Sequence, residues 1–185
     1  MILITTSRRP TRPIRTFCKD LSHTFPKTIR INRGKSSLSD LAEKAMELGA
    51  EKLLIIDRWK GGPGKMELFE LEGGKLKPLP PLIYIRGVKL RREFTTMSRG
   101  RRIKSIAIDV SETISEEARK LREAFSNFFG IPYVSSRENL KDFDALMLVK
   151  ETSQGLIVTF NLMPEMVEIG PRFRISHLIW DLTKP

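Results

Sequence analysis

The 185-residue chain holds a single cysteine and two histidines. Cys18 alone cannot form an internal disulfide, and Cys18, His23 and His177 make no clustered set of soft ligands, which sets a structural zinc aside. Long apolar runs are missing too. Leu53 to Ile56 is a tetrad and Ala145 to Val149 a run of five, against the roughly 20 residues that a membrane helix requires. At the start, Ile2 to Ile4 precede Arg8 and Arg9, the reverse of the basic-then-apolar order of a secretory signal. The expectation is a soluble, reduced, cytoplasmic protein without a membrane partner. Acidic residues are also in short supply, 22 against 33 Lys and Arg, for a net charge of +11. Such a chain repels itself at neutral pH and attracts polyanions, so nucleic acid is the first partner to consider. With 40% hydrophobic and 30% charged residues the composition is globular, which excludes a disordered or fibrous chain.

Hydrophobic periodicity predicts an α/β chain. Ile2-Leu3-Ile4 running into Thr5-Thr6-Ser7 reads as a buried strand. Ile14, Phe17, Cys18, Leu21 and Phe25 then recur at helical spacing until Pro26. A strand at 28–32 leads to a helix carrying Leu38, Leu41, Ala42, Ala45, Met46 and Leu48, with Ser37 and Asp40 spaced as a capping box. Strands follow at 52–56, 66–71 and 79–88, the first two joined across a glycine-rich loop at 61–64. The order then starts again: a strand at 103–110, a helix at 115–129 closed by Gly130, a short strand at 131–134, a helical turn at 137–143, and strands at 145–149, 156–160 and 166–169. This points to an internal duplication of two small α/β halves, 1–90 and 103–185, joined by a basic linker at 91–102. Two such layers side by side would form a seam.

The basic residues cluster at several places. Arg8, Arg9, Arg12 and Arg15 surround one strand-to-helix junction, where guanidinium forks can meet phosphate oxygens bidentately. Arg91, Arg92, Arg99, Arg101 and Arg102 fill the linker, with Phe94 and Met97 between them as stacking faces. Arg172 and Arg174 alternate about Phe173, so a strand there projects both to one side and turns Phe173 inward. Arg33 and Lys35 flank Gly34 in a strand-to-helix turn suited to one phosphate. That turn includes Gly34-Lys35-Ser36 but has Ile29 where a Walker loop needs its first glycine, which argues against nucleotide hydrolysis. Asp20, Asp40, Asp57 and Asp109 are scattered singly and read as caps and surface charges. Neither histidine has a serine or carboxylate partner for a triad. No catalytic residue, cofactor or metal is expected. A solvated, solubilising surface remains the simpler reading of any one arginine run.

Two segments resemble the Brix-domain family of ribosome-biogenesis proteins. The first is Ile4-Thr5-Thr6-Ser7-Arg8, followed by Phe17, Phe25-Pro26, Arg30-Ile31-Asn32-Arg33-Gly34 and Leu38…Asp40-Leu41, similar to the branch that acts in the small-subunit processome. The second, Val167-Glu168-Ile169-Gly170-Pro171-Arg172-Phe173, resembles the family's Gly-Pro-Arg-Phe signature. The resemblance implies halves similar to the anticodon-binding domain of class II aminoacyl-tRNA synthetases. It also implies non-catalytic binding of ribosomal RNA or its precursor and assembly of pre-ribosomal particles. A monomer is expected, with other ribosome-assembly proteins as further candidate partners. Without the charged extensions of eukaryotic members, the chain looks like a minimal, archaeal form. Two other readings stay open: an RNA-processing enzyme, nuclease or nucleotide hydrolase, built on the Arg33–Ser36 turn, and a protein-interaction adaptor.

Overall fold

Every residue of β1 (Ile2–Thr6) is buried, as expected of a strand with both faces covered. In this computed structural model, which describes residues 1–59, 62–95, 101–135 and 137–184, it pairs in parallel with β2 (Thr28–Arg30) and β3 (Lys52–Trp59). Antiparallel β4 (Gly62–Glu72) and β5 (Lys75–Lys89) extend the sheet. The second half repeats the pattern with β6 (Ile106–Asp109), β7 (Tyr133–Val134), β8 (Ala145–Thr152), β9 (Gly155–Leu162), the two-residue β10 (Val167–Glu168) and β11 (Arg172–Ile179). The strand order is β2-β1-β3-β4-β5-β11-β9-β8-β6-β7, with β10 paired to β9. Read inward from each end, the two halves have the same connectivity.

The expected pair of layers meeting at a seam is replaced by one continuous sheet. The reason is β11, which pairs antiparallel with β5 of the first half and with β9 of the second. The strand at 166–169 is therefore not the last; only Val167 and Glu168 pair, between Met166 and Gly170, both at positive φ.

Helices α1 (Arg12–Thr24) and α3 (Glu116–Phe129) share one face of this sheet and one core. Phe17 meets Phe173 edge-on at 5.6 Å. Phe25 stacks on Phe129 at 3.7 Å and meets Phe160 at 5.3 Å, so α1 locks onto strand and helix residues of the other half. Lys52 at the start of β3 adds a polar tie, donating to the carbonyls of Asn127 (2.7 Å) and Phe128 (3.2 Å) at the α3 C-terminus, where a cation complements the helix dipole. On the opposite face α2 (Leu38–Glu47) covers Leu3, Leu53, Ile55 and Phe69. The one-turn α4 (Arg137–Leu140) lies with the Ala107, Val134 and Leu146 cluster. The Ser37–Asp40 capping box forms at the start of α2. At the end of α3, Gly130 closes the helix at φ +64°. No helix among the described residues is long and apolar enough to cross a membrane.

Candidate nucleic-acid interface

Strand direction decides where the basic segments go. The carboxyl ends of β1, β2, β3 and β5 and the amino ends of β11, β8 and β6 all lie on the same rim of the sheet. Arg8, Arg9, Arg12 and Arg15 follow β1; Arg33 and Lys35 follow β2; Arg91 and Arg92 follow β5; Arg101 and Arg102 precede β6; Arg172 opens β11 and Arg174 lies two residues further in. Arg99 lies outside the described residues. Twelve of the thirteen expected side chains thus belong to one rim, arranged in local groups along it rather than in one trough.

The first group surrounds the β1–α1 junction. The guanidinium of Arg33 donates to the carbonyls of Ser36 (2.9 Å) and Thr6 (3.3 Å), and Arg8 reaches the same Ser36 carbonyl at 3.4 Å. Arg33 therefore staples the turn, while Arg8, Arg9, Arg12, Arg15 and Lys35 are exposed. Facing Arg33 is a set that the sequence did not suggest. Lys65 on β4 bridges Asp57 of β3 at 3.5 Å and Glu67 at 3.6 Å, a cross-strand juxtaposition invisible to sequence spacing. Burial, reinforced by neighbouring Asp57, pushes the Glu67 carboxyl up to about 7, so in the folded state Glu67 keeps a proton that it would release in the unfolded chain. Stability should fall as pH rises from about 4.5 to about 7, and Glu67→Gln should flatten that segment of the curve. Chemical denaturation at pH 5 and pH 8 measures it; equal slopes for both proteins would contradict the assignment.

The second group sits where the halves join. The Arg91 N–H donates to buried Asp20 of α1 at 2.8 Å, which holds the 3-10 turn Arg91–Glu93 against the helix. Burial raises the Asp20 carboxyl and lowers Arg91, and neighbouring Arg91 and Arg92 oppose the rise of Asp20. Next along the chain, the buried Phe94 ring lies under Lys89 (4.4 Å) and Arg172 (5.5 Å). Arg172 also forms a bidentate pair with Glu168, both contacts at 2.6 Å, and Glu168 accepts from Thr159. Arg172 is thus largely committed within the protein. Arg174 contacts the Gln154 side chain. As the alternation implied, Phe173 is buried while both arginines line the other face, where a depression of about 450 Å³ is bounded by Gly87, Lys89, Gln154, Arg172 and Arg174.

At the far end of the rim Arg101 is held by the Met163 carbonyl (2.6 Å) and Glu165 (2.5 Å), whereas Arg102 is exposed. Cys18 is buried, its thiol pushed up to about 12 by desolvation.

A "Probable Brix domain-containing ribosomal biogenesis protein" of Pyrococcus abyssi (strain GE5 / Orsay) is 30% identical over 191 residues, spanning 97% of this chain and 84% of that protein. One of the same description from Pyrobaculum aerophilum is 30% identical over 185 residues, spanning 97% and 95%. The chain belongs to the Brix-domain family of ribosomal biogenesis proteins. The Brix assignment extends to structure: a crystallised probable ribosomal biogenesis protein from Aeropyrum pernix K1 superimposes with a TM-score of 0.75 at 28% identity, over 94% of each chain. No family model matches the chain. Within this Brix protein the Gly-Pro-Arg-Phe signature has a structural meaning. Gly170 leaves room for Phe94, Arg172 pairs with Glu168, and Phe173 enters the core shared by both halves.

Proposed function

We propose that the protein binds ribosomal RNA or its precursor along the cationic rim and assists assembly of pre-ribosomal particles without catalysis. The observation that carries this reading is the convergence of five separate basic segments on one rim through strand direction alone. Several acidic groups on that rim are engaged: Glu93 accepts from the Leu90 N–H, Asp144 from the Lys104 and Ser105 N–H groups, Glu165 from Arg101 and Glu168 from Arg172. The exposed cations Arg8, Arg9, Arg12, Arg15, Lys35 and Arg102 suit a phosphate backbone. In the Arg33–Ser36 turn Arg33 is spent on two carbonyls, which leaves exposed Lys35 as its cation for phosphate. The matching strand orders support an internal duplication. The proposal extends to halves similar to an anticodon-binding domain, and to a chain that acts in the cytoplasm as a monomer beside other assembly proteins.

Titration of RNA binding against salt tests this. If about six phosphates are neutralised, log affinity should fall against log salt with a slope of about −4 to −5, and a slope near zero overturns the reading. Magnesium-dependent cleavage of RNA or ATP that disappears in Lys35→Ala would replace it with an enzyme.

A further inference from the structure

The face of β5 and β11 opposite the α1–α3 core carries a pattern that the rim does not explain. Along β5, Ile83 and Ile85 point into the shared core, which turns Tyr84 to the other face; along β11, Phe173 and Ile175 are buried while Arg172 and Arg174 point outward. Two register shifts in the β5–β11 ladder then bring His177 directly opposite Tyr84. Their rings stack at 4.2 Å with an interplanar angle of 11°, and the imidazole is exposed. Ser176 donates to the Tyr84 carbonyl at 3.3 Å and lies 3.1 Å from the His177 Nδ1, which fixes the imidazole in place. A stripe results, with Lys89 and Arg174 around the 450 Å³ depression at one end and a flat aromatic platform at the other. From Arg172 to His177 the strand advances about 17 Å, room for a few nucleotides.

We infer that this stripe is a track for single-stranded RNA, in which Lys89 and Arg174 hold backbone phosphates and the exposed ring of His177 stacks a base. The inference rests on the RNA-binding reading above and specifies the form of the RNA. Three features favour a nucleic acid over an acidic peptide. The two cations are exposed or half-exposed, with the Arg172 charge already balanced by Glu168. Gly87 keeps the floor open beside Arg174, whose guanidinium would lie 3.8 Å from any Cβ placed there. An exposed aromatic face next to phosphate-binding cations is the combination that reads unpaired bases, because a stacked duplex offers no base face to it.

The test uses the full chain with a mixed-sequence 12-nucleotide RNA, single-stranded or annealed to its complement, each end-labelled, and a second single strand bearing 2-aminopurine. His177→Ala should weaken the single strand about ten-fold, leave the duplex within two-fold, and abolish the 2-aminopurine quenching seen with the parent protein; His177→Phe should restore both. Arg174→Gln with Lys89→Gln should weaken the single strand while retaining the quenching at saturation. Equal losses on both RNAs, unchanged single-strand affinity, or displacement of the single strand by an oligoglutamate of equal charge overturns the track but leaves rim binding standing. Absence of salt-dependent binding by the parent protein to either RNA overturns both readings.

Discussion

Gly170→Ala should lower the melting temperature by about 5–15 °C, a large effect for the addition of one methyl group. Gly170 sits at φ +65°, where a side chain costs about 1 kcal/mol. A Cβ there would also overlap the Phe94 ring, with two further ring carbons at 3.0 and 3.1 Å. That ring is buried and cannot step aside, so overpacking adds about 1–3 kcal/mol. The two contributions separate in a double-mutant cycle. Pairing Gly170→Ala with Phe94→Leu should recover the overlap part and leave the backbone part, giving a non-additive sum. Thermal unfolding of the four proteins checks it, and a shift below about 2 °C for Gly170→Ala alone would show that the signature glycine is not shaped by Phe94.

Replacing Arg8, Arg9 and Arg12 together by Ala should leave the melting temperature nearly unchanged yet weaken RNA binding about a hundred-fold at 0.1 M salt. All three are exposed, and the Arg8 contact with Ser36 is a long one at 3.4 Å, so the fold loses little. If each neutralises one phosphate, counterion release at about 0.7 per phosphate makes the salt slope shallower by about 2, and the roughly hundred-fold loss at 0.1 M follows from that change. The loss should be similar for unrelated RNAs, because phosphate contacts carry no sequence information. Filter binding over a range of salt measures both quantities. Lost affinity with an unchanged slope would mean that the arginines act through shape or base contacts instead.

The legible parts of the sequence were those governed by local pattern. The stripe Ile14, Phe17, Cys18, Leu21 and Phe25 gave α1, and Ser37 with Asp40 gave the start of α2, because periodicity and capping are read within a single helix. Strand lengths were less legible. β5 begins at Lys75, ahead of Pro78, Pro80 and Pro81; the ladder shifts register between Met66 and Leu68 of β4, and Pro80 and Pro81 fall in that irregular stretch while Pro78 stays paired with Phe69. β6 spans Ile106–Asp109 and not the expected 103–110, since Asp144 takes the N–H groups of Lys104 and Ser105. The thirteen candidate cations could be picked out by clustering, but not their partners. That Arg101 is bound to Glu165 and Arg172 to Glu168 depends on contacts across loops and strands, as does the meeting of Asp57 with Glu67. His177 carried no signal as a stacking group, because its neighbour Tyr84 lies 93 positions earlier.

The strand that fuses the halves comes last in chain order yet lies in the middle of the sheet. A nascent polypeptide that has emerged only through β9 therefore holds two partial sheets, β5 bordering one and β9 the other, each with an unpaired edge open to wrong partners. Insertion of β11 closes both edges in one step and seats Phe173 against Phe17. Completion of the hydrophobic interior and assembly of the Lys89–Arg174 surface both wait on this strand, so chains that stop short of it lack that surface.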